Sequence, residues 1–224
     1  MIVLYWMTPD PITVTEEVTL LEVWRILRDH GIRRLPVVVG DDQLVGMVGR
    51  SDLYRYVTRD AARGPEEGIR AALEGVTVQD AMSTELVTCE VNDPLEEVSE
   101  KMRVAKLGAF PVLSRGHLVG IISETDLLGA LGELAGLGSG SDRITIRVAE
   151  DPENDDLFNI VDLCRRYSLE LIAVLTHPIL ADSAIMTTLR VRGERVDDFV
   201  QELWKSGLHV VSRVKAEDSA PKSD

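Results

Sequence analysis

An internal repeat constrains the fold of this chain of 224 residues more than any other feature. Five segments of the first half recur in the same order, the first four at an offset of 75 residues and the last at 74. Both copies then reach an acidic residue followed by leucine, Asp52-Leu53 and Asp126-Leu127. The recurring segments are 7–9 (MTP) with 82–84 (MST), 11–14 (PITV) with 86–89 (LVTC), 19–23 (TLLEV) with 94–98 (PLEEV), 35–38 (LPVV) with 110–113 (FPVL), and 44–48 (LVGMV) with 118–122 (LVGII).

Each copy has the pattern of a strand, a helix, two further strands and a second helix. In the first copy the two later strands are apolar runs at 36–39 and 44–48, separated by a turn rich in Gly and Asp. One such unit is too small to bury its own sheet, so we expect the repeats, at 1–62 and 76–135, to pair about a pseudo-twofold axis. The cleft between them would then carry two equivalent sites.

Because this pattern occurs twice with the same internal spacing, residues 1 to about 133 resemble a tandem pair of CBS domains, also called a Bateman module. In that family the cleft commonly binds AMP, ATP or S-adenosyl compounds, and the ligand controls an attached domain or a partner. The resemblance therefore implies an adenine nucleotide as a small-molecule ligand, with no cofactor required.

The family's ligand motif follows the second strand of the hairpin, and repeat two matches it completely at 120–126 (GIISETD). The resemblance implies that Asp126 accepts hydrogen bonds from both ribose hydroxyls. It also implies that Ser123 and Thr125, with backbone amides at the start of the next helix, suit a phosphate. An alternative is that Asp126 and its counterpart Asp52 are only helix N-caps, since each precedes an apolar helical run.

Repeat one departs from the motif at 46–52 (GMVGRSD), where Gly49 takes the place of Ser or Thr. It keeps Asp52, to which the resemblance assigns the ribose of a second site, and Ser51 beside it. Repeat one therefore has an incomplete version of the ligand motif that repeat two carries.

Basic residues often precede the buried strand in this family, where they reach the phosphate. Repeat one has Arg33 and Arg34 there, and the planar fork of arginine suits that role, whereas repeat two has Gly108 and Ala109. Each repeat thus holds part of a complete set of ligand-binding residues. The parts either combine in one site, or one site has lost its ligand. For the arginines, ion pairs with surface acids are a further alternative.

After a glycine-rich segment at 136–141 (GLGSGS), which predicts a short flexible linker, the pattern changes. Residues 143–215 have strands and helices in the order βαββαβ, a ferredoxin-like arrangement, and the polar residues 216–224 are predicted to be a disordered tail. This order and length resemble an ACT domain, a regulatory module that often binds amino acids and pairs by sheet extension. The predicted fold class is α/β (α+β), a tandem CBS pair plus an ACT-like domain.

The loop after the first strand of this domain argues against a standard amino-acid site. In ACT domains the loop carries a glycine that lets backbone amides reach the ligand. Here 150–156 (EDPENDD) has no glycine, and its acids would repel an amino acid's carboxylate. A cation is a conceivable occupant, but solvated acids are the simpler account. We expect this domain to serve dimerisation or signal relay.

A net charge of −14 disfavours nucleic acid and anionic membranes as partners, because both need clustered positive charge. Cys89 and Cys164 form no CxxC pair and fit core positions, so no metal site is expected. We expect no enzyme and no catalytic residue, since phosphate-loop, nucleophile-elbow and zinc-protease motifs are missing. Without a signal peptide or an apolar run of about 18 residues, a cytoplasmic location is expected.

Three functions stay open from the sequence alone. The first is a nucleotide sensor that acts through the CBS cleft, in a chain that we expect to form a homodimer. The second is an amino-acid-responsive regulator that acts through the ACT-like domain. The third is a ligand-free dimerisation scaffold. The sequence does not identify the partner protein that would be regulated.

Overall fold

The computed structural model describes residues 1–57, 65–149, 156–179 and 184–216. Contacts divide the chain into two compact units, Met1–Leu128 and Gly129–Asp224. The helices are α1 (Leu20–Asp29), α2 (Arg50–Tyr54), α3 (Pro65–Leu73), α4 (Val78–Ala81), α5 (Leu95–Ala105), α6 (Glu124–Leu134), α7 (Asp156–Arg166) and α8 (Val196–Lys205), with a 3-10 turn at Val3–Tyr5. The strands are β1 (Thr8–Pro9), β2 (Arg34–Val39), β3 (Gln43–Gly49), β4 (Cys89–Glu90), β5 (Ala109–Ser114), β6 (His117–Ser123), β7 (Asp142–Ala149), β8 (Glu170–Ile179), β9 (Ala184–Arg192) and β10 (His209–Val214).

Repeat one is built from the hairpin of β2 and β3 and from helix α1. The two strands are antiparallel, with Val37 opposite Gly46. Helix α1 begins after Thr19, whose hydroxyl accepts a hydrogen bond of 3.3 Å from the backbone N–H of Glu22. Its apolar face packs on the hairpin because leucine and valine recur at helical spacing. Helices α3 and α4 pack against the same core, whose buried residues are Val14, Leu20, Leu21, Val23, Leu27, Leu35, Val37, Val48, Leu53, Leu73, Val78 and Ala81.

Repeat two forms the same hairpin from β5 and β6. Ala109 lies opposite Ser123 there, as Arg34 lies opposite Gly49 in repeat one. Both hairpins shift register at the equivalent point. The repeat detected in the sequence is therefore present as two hairpins of the same construction.

A segment near the start of each repeat pairs with the hairpin of the other repeat, whereas β4 pairs with β5 of its own repeat. Strand β1 lies antiparallel to β6, with Thr8 opposite Ile121. Ser83 makes the equivalent bridge to Met47 of repeat one. This exchange places the residues that follow β1 beside the ligand motif of repeat two.

The second unit is an antiparallel sheet of four strands with two helices. Its strand order is β10-β7-β9-β8, so the first and third strands of the unit lie at the centre. Helices α7 and α8 follow the first and third strands, which confirms the predicted βαββαβ order. The core of this unit is formed by Ile144, Ile146, Val148, Ile160, Leu163, Cys164, Leu169, Leu189, Val191, Val196, Phe199, Leu203, Leu208 and Val210.

The glycine-rich segment before β7 is held to the sheet of the second unit. Arg190, only 8% exposed, donates hydrogen bonds to the carbonyl oxygens of Ala135 at 3.2 Å and Ser141 at 3.4 Å. Arg192 donates to the carbonyl of Ser139 at 3.0 Å. The prediction of a flexible linker is thereby corrected, because arginine side chains anchor its backbone along its length.

No helix in the described part of the chain combines the length and the apolar character needed to cross a bilayer. Among the same residues, no three acidic, histidine or cysteine side chains are placed to hold a metal ion. Residues 150–155 of the acidic loop and the tail from 217 onward lie outside the described residues. What the sequence predicts for them stays a prediction.

Candidate functional site

A cavity of about 550 Å³ lies between the two repeats of the first unit. Small-molecule sites in proteins typically measure roughly 300–1,000 Å³. Both repeats contribute to its wall. The lining residues are Thr8, Asp10, Pro11, Ile12, Gly31, Ile32, Arg33, Arg34, Pro36, Gly108, Ala109, Ile121, Ser123, Glu124, Thr125 and Asp126.

Two groups of residues that the sequence singled out separately meet in this cavity. One group is the ligand motif of repeat two, and the other is the basic pair of repeat one. Ser51 and Asp52 are not among the lining residues. The predicted residues that line the cavity are Arg33, Arg34, Ser123, Thr125 and Asp126.

Asp126 is positioned by a capping box at the start of α6. Its Oδ2 accepts hydrogen bonds from the backbone N–H and the hydroxyl of Ser123, at 2.8 and 2.7 Å. The Ser123 hydroxyl in turn accepts the Asp126 N–H at 3.3 Å. Asp126 is thus the third residue of the helix rather than its N-cap. No described residue donates a hydrogen bond to its Oδ1, so one carboxylate oxygen is available in the cavity.

Arg33 and Arg34 bring positive charge to the same cavity. Neither has an ion-pair partner among the residues that the structure describes, so the predicted alternative of surface ion pairs is not observed there. The carboxylates of Asp10, Glu124 and Asp126 line the cavity as well. A ligand that joins a hydroxyl-bearing sugar to an anionic group would match this combination of acceptors and cations.

Eleven of the sixteen lining residues were not among the predicted site residues, and four of these eleven are Thr8 and 10–12. These four residues belong to β1 or follow it, and they reach the motif of repeat two only because β1 pairs with β6. Asp10 has a positive φ of 46°, a conformation that aspartate tolerates better than most residues. Self-comparison marks the segment as repeated, but it does not say with which hairpin the segment pairs.

Asp52 has the same position in α2 as Asp126 has in α6. Its Oδ2 accepts the Gly49 N–H at 2.8 Å, so Gly49 is the N-cap and Asp52 is the third helical residue. Its Oδ1, however, accepts a hydrogen bond of 2.8 Å from Arg55. A Cβ at Gly49 would lie 2.9 Å from both the Arg33 carbonyl oxygen and Cγ of Arg34, so a serine at this position would require the residues at the start of β2 to shift.

A smaller cavity of about 180 Å³ lies between helices α1, α2 and α3. Its wall is mostly apolar, and it contains none of the predicted site residues. The lining residues are Trp24, Leu27, Arg28, Arg50, Leu53, Tyr54, Val57, Ile69 and Leu73. The larger cavity is therefore the better candidate for a polar ligand.

Known proteins resemble this chain over a length that corresponds to the two repeats. The chain is 34% identical over 128 residues to a CBS domain-containing protein of Dictyostelium discoideum, which covers 56% of this chain and 87% of that protein. It is 30% identical over 125 residues to the uncharacterized protein MJ1225 of Methanocaldococcus jannaschii. That match covers 55% of this chain but only 44% of MJ1225, so the chain spans less than half of that relative.

Among solved structures, a Vibrio cholerae protein that carries the name acetoin utilization protein (AcuB) superposes with a TM-score of 0.52 at 26% identity. The superposition covers 62% of this chain and 96% of that one. The family model described as CBS domain matches residues 3–59 and 78–133, which together make up half of the chain. These residues are the two repeats whose hairpins enclose the cavity, and the chain therefore belongs to the CBS-domain family as a tandem pair.

Proposed function

We propose that the cavity between the repeats binds an adenine nucleotide, AMP or ATP, or an S-adenosyl compound, and that the bound ligand regulates an attached domain or a partner protein. The observation that carries this proposal is the open Oδ1 of Asp126 in the same cavity as Arg33 and Arg34. The ligand class is the one that the resemblance to CBS pairs implies. The proposed role is regulation rather than catalysis.

Within this proposal, Oδ1 of Asp126 accepts the ribose hydroxyls, because an ionised carboxylate oxygen with no other donor is a strong acceptor. Arg33 and Arg34 bind the phosphate of a nucleotide. Ser123 holds the carboxylate in place through its two hydrogen bonds, and Thr125 lines the phosphate side. Asp52 and Ser51 belong to the counterpart half of the cleft.

Calorimetry with AMP and adenosine tests the proposal. We expect saturable binding of both, with AMP binding at least about tenfold more tightly, since charge-assisted bonds to phosphate contribute roughly 1.5–3 kcal/mol. The double change Arg33→Ala/Arg34→Ala should remove the preference for AMP. A matched control is Arg103→Ala, which changes an exposed arginine paired with Glu100 outside the cavity. Absence of heat and of thermal shift with AMP, ATP and S-adenosylmethionine would sink the proposal.

For the domains, we propose CBS repeats at 1–62 and 76–135, an ACT-like domain at 143–215 and a tail at 216–224. This layout resembles that of AcuB and its relatives, although the structural match with AcuB covers only 62% of the chain. The ACT-like domain would serve dimerisation or signal relay. Its ferredoxin-like sheet supports this proposal by its fold alone.

We also propose a homodimer. The exposed side of α6 carries Leu128, 69% exposed, and Leu131, 59% exposed, an apolar stripe at helical spacing. Light scattering should give twice the chain mass, and Leu131→Glu should return the monomer mass. If the wild type is a monomer at all protein concentrations, the homodimer proposal is contradicted and the ligand proposal is unaffected.

A further inference from the structure

The two halves of the CBS cleft differ in one hydrogen bond, which repeat one makes and repeat two does not. Asp52 and Asp126 are both third residues of a helix, and each accepts a backbone N–H bond of 2.8 Å at Oδ2. At Asp126 the other oxygen has no donor among the described residues, whereas at Asp52 it is bound by Arg55. The difference therefore lies in an oxygen that the proposed ligand would need.

Arg55 is tied to more than this carboxylate. Its guanidinium donates to Oδ1 of Asp52 and also to the carbonyl of Ala81, both at 2.8 Å. The next residue, Tyr56, donates its hydroxyl hydrogen to the carbonyl of Asp80 at 2.7 Å. These contacts join the end of α2 to α4. The Asp52 side chain is 20% exposed, and the Arg55 side chain that binds it is 62% exposed.

In repeat two the position of Arg55 is taken by Gly129, at the offset of 74 that relates Asp52 to Asp126. A Cβ built on Gly129 would meet no atom within 4 Å. The sequence of repeat two thus leaves open space three residues after its acid. Repeat one fills the same helical position with a cation.

We propose that Arg55, through its hydrogen bond to Asp52, keeps the repeat-one half of the cleft closed to ligand, so that the chain binds one ligand in the Asp126 half. This proposal rests on the proposed function above. The guanidinium takes the place on Asp52 that ribose hydroxyls would take. Position 55 or 129 therefore determines which half of the cleft is open.

Transfer of the arginine to repeat two provides the first test. Gly129→Arg places a cation at the same i,i+3 spacing from Asp126 and should weaken AMP binding by at least about tenfold, because a charge-assisted contact must break first. Gly129→Ala is the matched control, since it makes the same change to the helix backbone without the charge, and its AMP affinity should stay that of the wild type. Equal AMP affinity of Gly129→Arg and Gly129→Ala would overturn the proposal.

Removal of the arginine from repeat one provides the second test. The probe is adenosine, which carries no phosphate. The Asp52 half would face repeat two, which has Gly108 and Ala109 where repeat one has its basic pair, so it offers no arginine for a phosphate. Calorimetry should show one adenosine per chain in the wild type and two in Arg55→Ala, with circular dichroism confirming that the variant is folded. Two adenosines per wild-type chain, or one per Arg55→Ala chain, would contradict the proposed role of Arg55 while leaving the proposed function in place. No binding by any of these proteins would instead remove the proposed function.

Discussion

At the scale of single residues, the same local geometry occurs in two different surroundings. Asp80 accepts hydrogen bonds from the backbone N–H and hydroxyl of Thr77 at 3.0 and 2.8 Å. Asp126 accepts the same two bonds from Ser123. Only Asp126 faces the cavity, so what separates a capping residue from a candidate ligand residue is its surroundings.

This pair allows a controlled substitution. Asp126→Asn and Asp80→Asn should each lower the unfolding free energy, because each weakens one capping box. Only Asp126→Asn should also weaken AMP binding, by roughly 10- to 100-fold, the loss of a charged acceptor. Urea unfolding and calorimetry on the two variants check both parts. Equal AMP affinity in the two variants would show that Asp126 is only a capping residue.

The buried cysteines give the protein a pH dependence at alkaline pH. Burial, reinforced by the charge of Asp93, raises the pKa of Cys89 from 9.0 to about 12, and burial raises that of Cys164 to about 11. The unfolded chain releases these protons first, so the contribution of each thiol is intact below pH 9 and is lost as the pH rises toward its folded pKa.

We therefore expect the unfolding free energy to fall above pH 9 by up to about 1.4 kcal/mol per pH unit for each thiol. Guanidinium unfolding at pH 8, 9 and 10 measures the slope. In Cys89→Ala the slope should be shallower, because one of the two groups is gone. An unchanged slope in that variant would contradict the assignment of the pH dependence to the buried thiols.

At the scale of elements, the pairing of β1 with β6, and of Ser83 with Met47, depends on glycines that let the neighbouring backbone segment of the same chain approach. A Cβ at Gly120 would lie 2.6 Å from Sδ of Met7 and 3.1 Å from the carbonyl oxygen of Thr8. Gly46 has the equivalent close approach to Met82. The packing of β1 on β6 therefore requires a residue without a side chain.

Gly120→Ala should destabilise the protein by about 1–3 kcal/mol, as overpacking typically does, whereas Gly129→Ala should stabilise it by up to about 1 kcal/mol, since helix propensity improves in open space. Adding Met7→Ala should recover part of the loss at Gly120. Thermal unfolding of the three variants gives the comparison. A neutral Gly120→Ala would mean that β1 does not pack on β6.

The sequence predicted the elements with strong periodicity. The hairpins of both repeats and the βαββαβ order of the second unit follow from apolar spacing and turn residues. Spacing could not predict the partner of β1, which is two residues long, because its pairing depends on contacts with the other repeat. Nor did it predict the anchoring of the segment before β7, which depends on Arg190 in a strand 49 residues beyond Ser141.

At the scale of the whole molecule, a chain of net charge −14 places in its larger cavity two arginines that have no ion-pair partner among the described residues. The sequence predicted five of the lining residues, because the motif of repeat two and the basic pair of repeat one are visible as patterns. It could not predict that Thr8 and Asp10 line the same cavity, nor that Arg55 binds Asp52. Both of these depend on how the two repeats fold together.

A crystal structure of the chain with AMP tests the central claim most directly, because it locates the ligand as well as detecting it. The account predicts one AMP per chain in the cavity between the repeats, with its ribose hydroxyls at hydrogen-bond distance, about 2.5–3.0 Å, from Oδ1 of Asp126. Its phosphate should lie against Arg33 and Arg34. Nucleotide bound elsewhere, or a cavity without AMP in crystals grown at saturating concentration, would contradict the account.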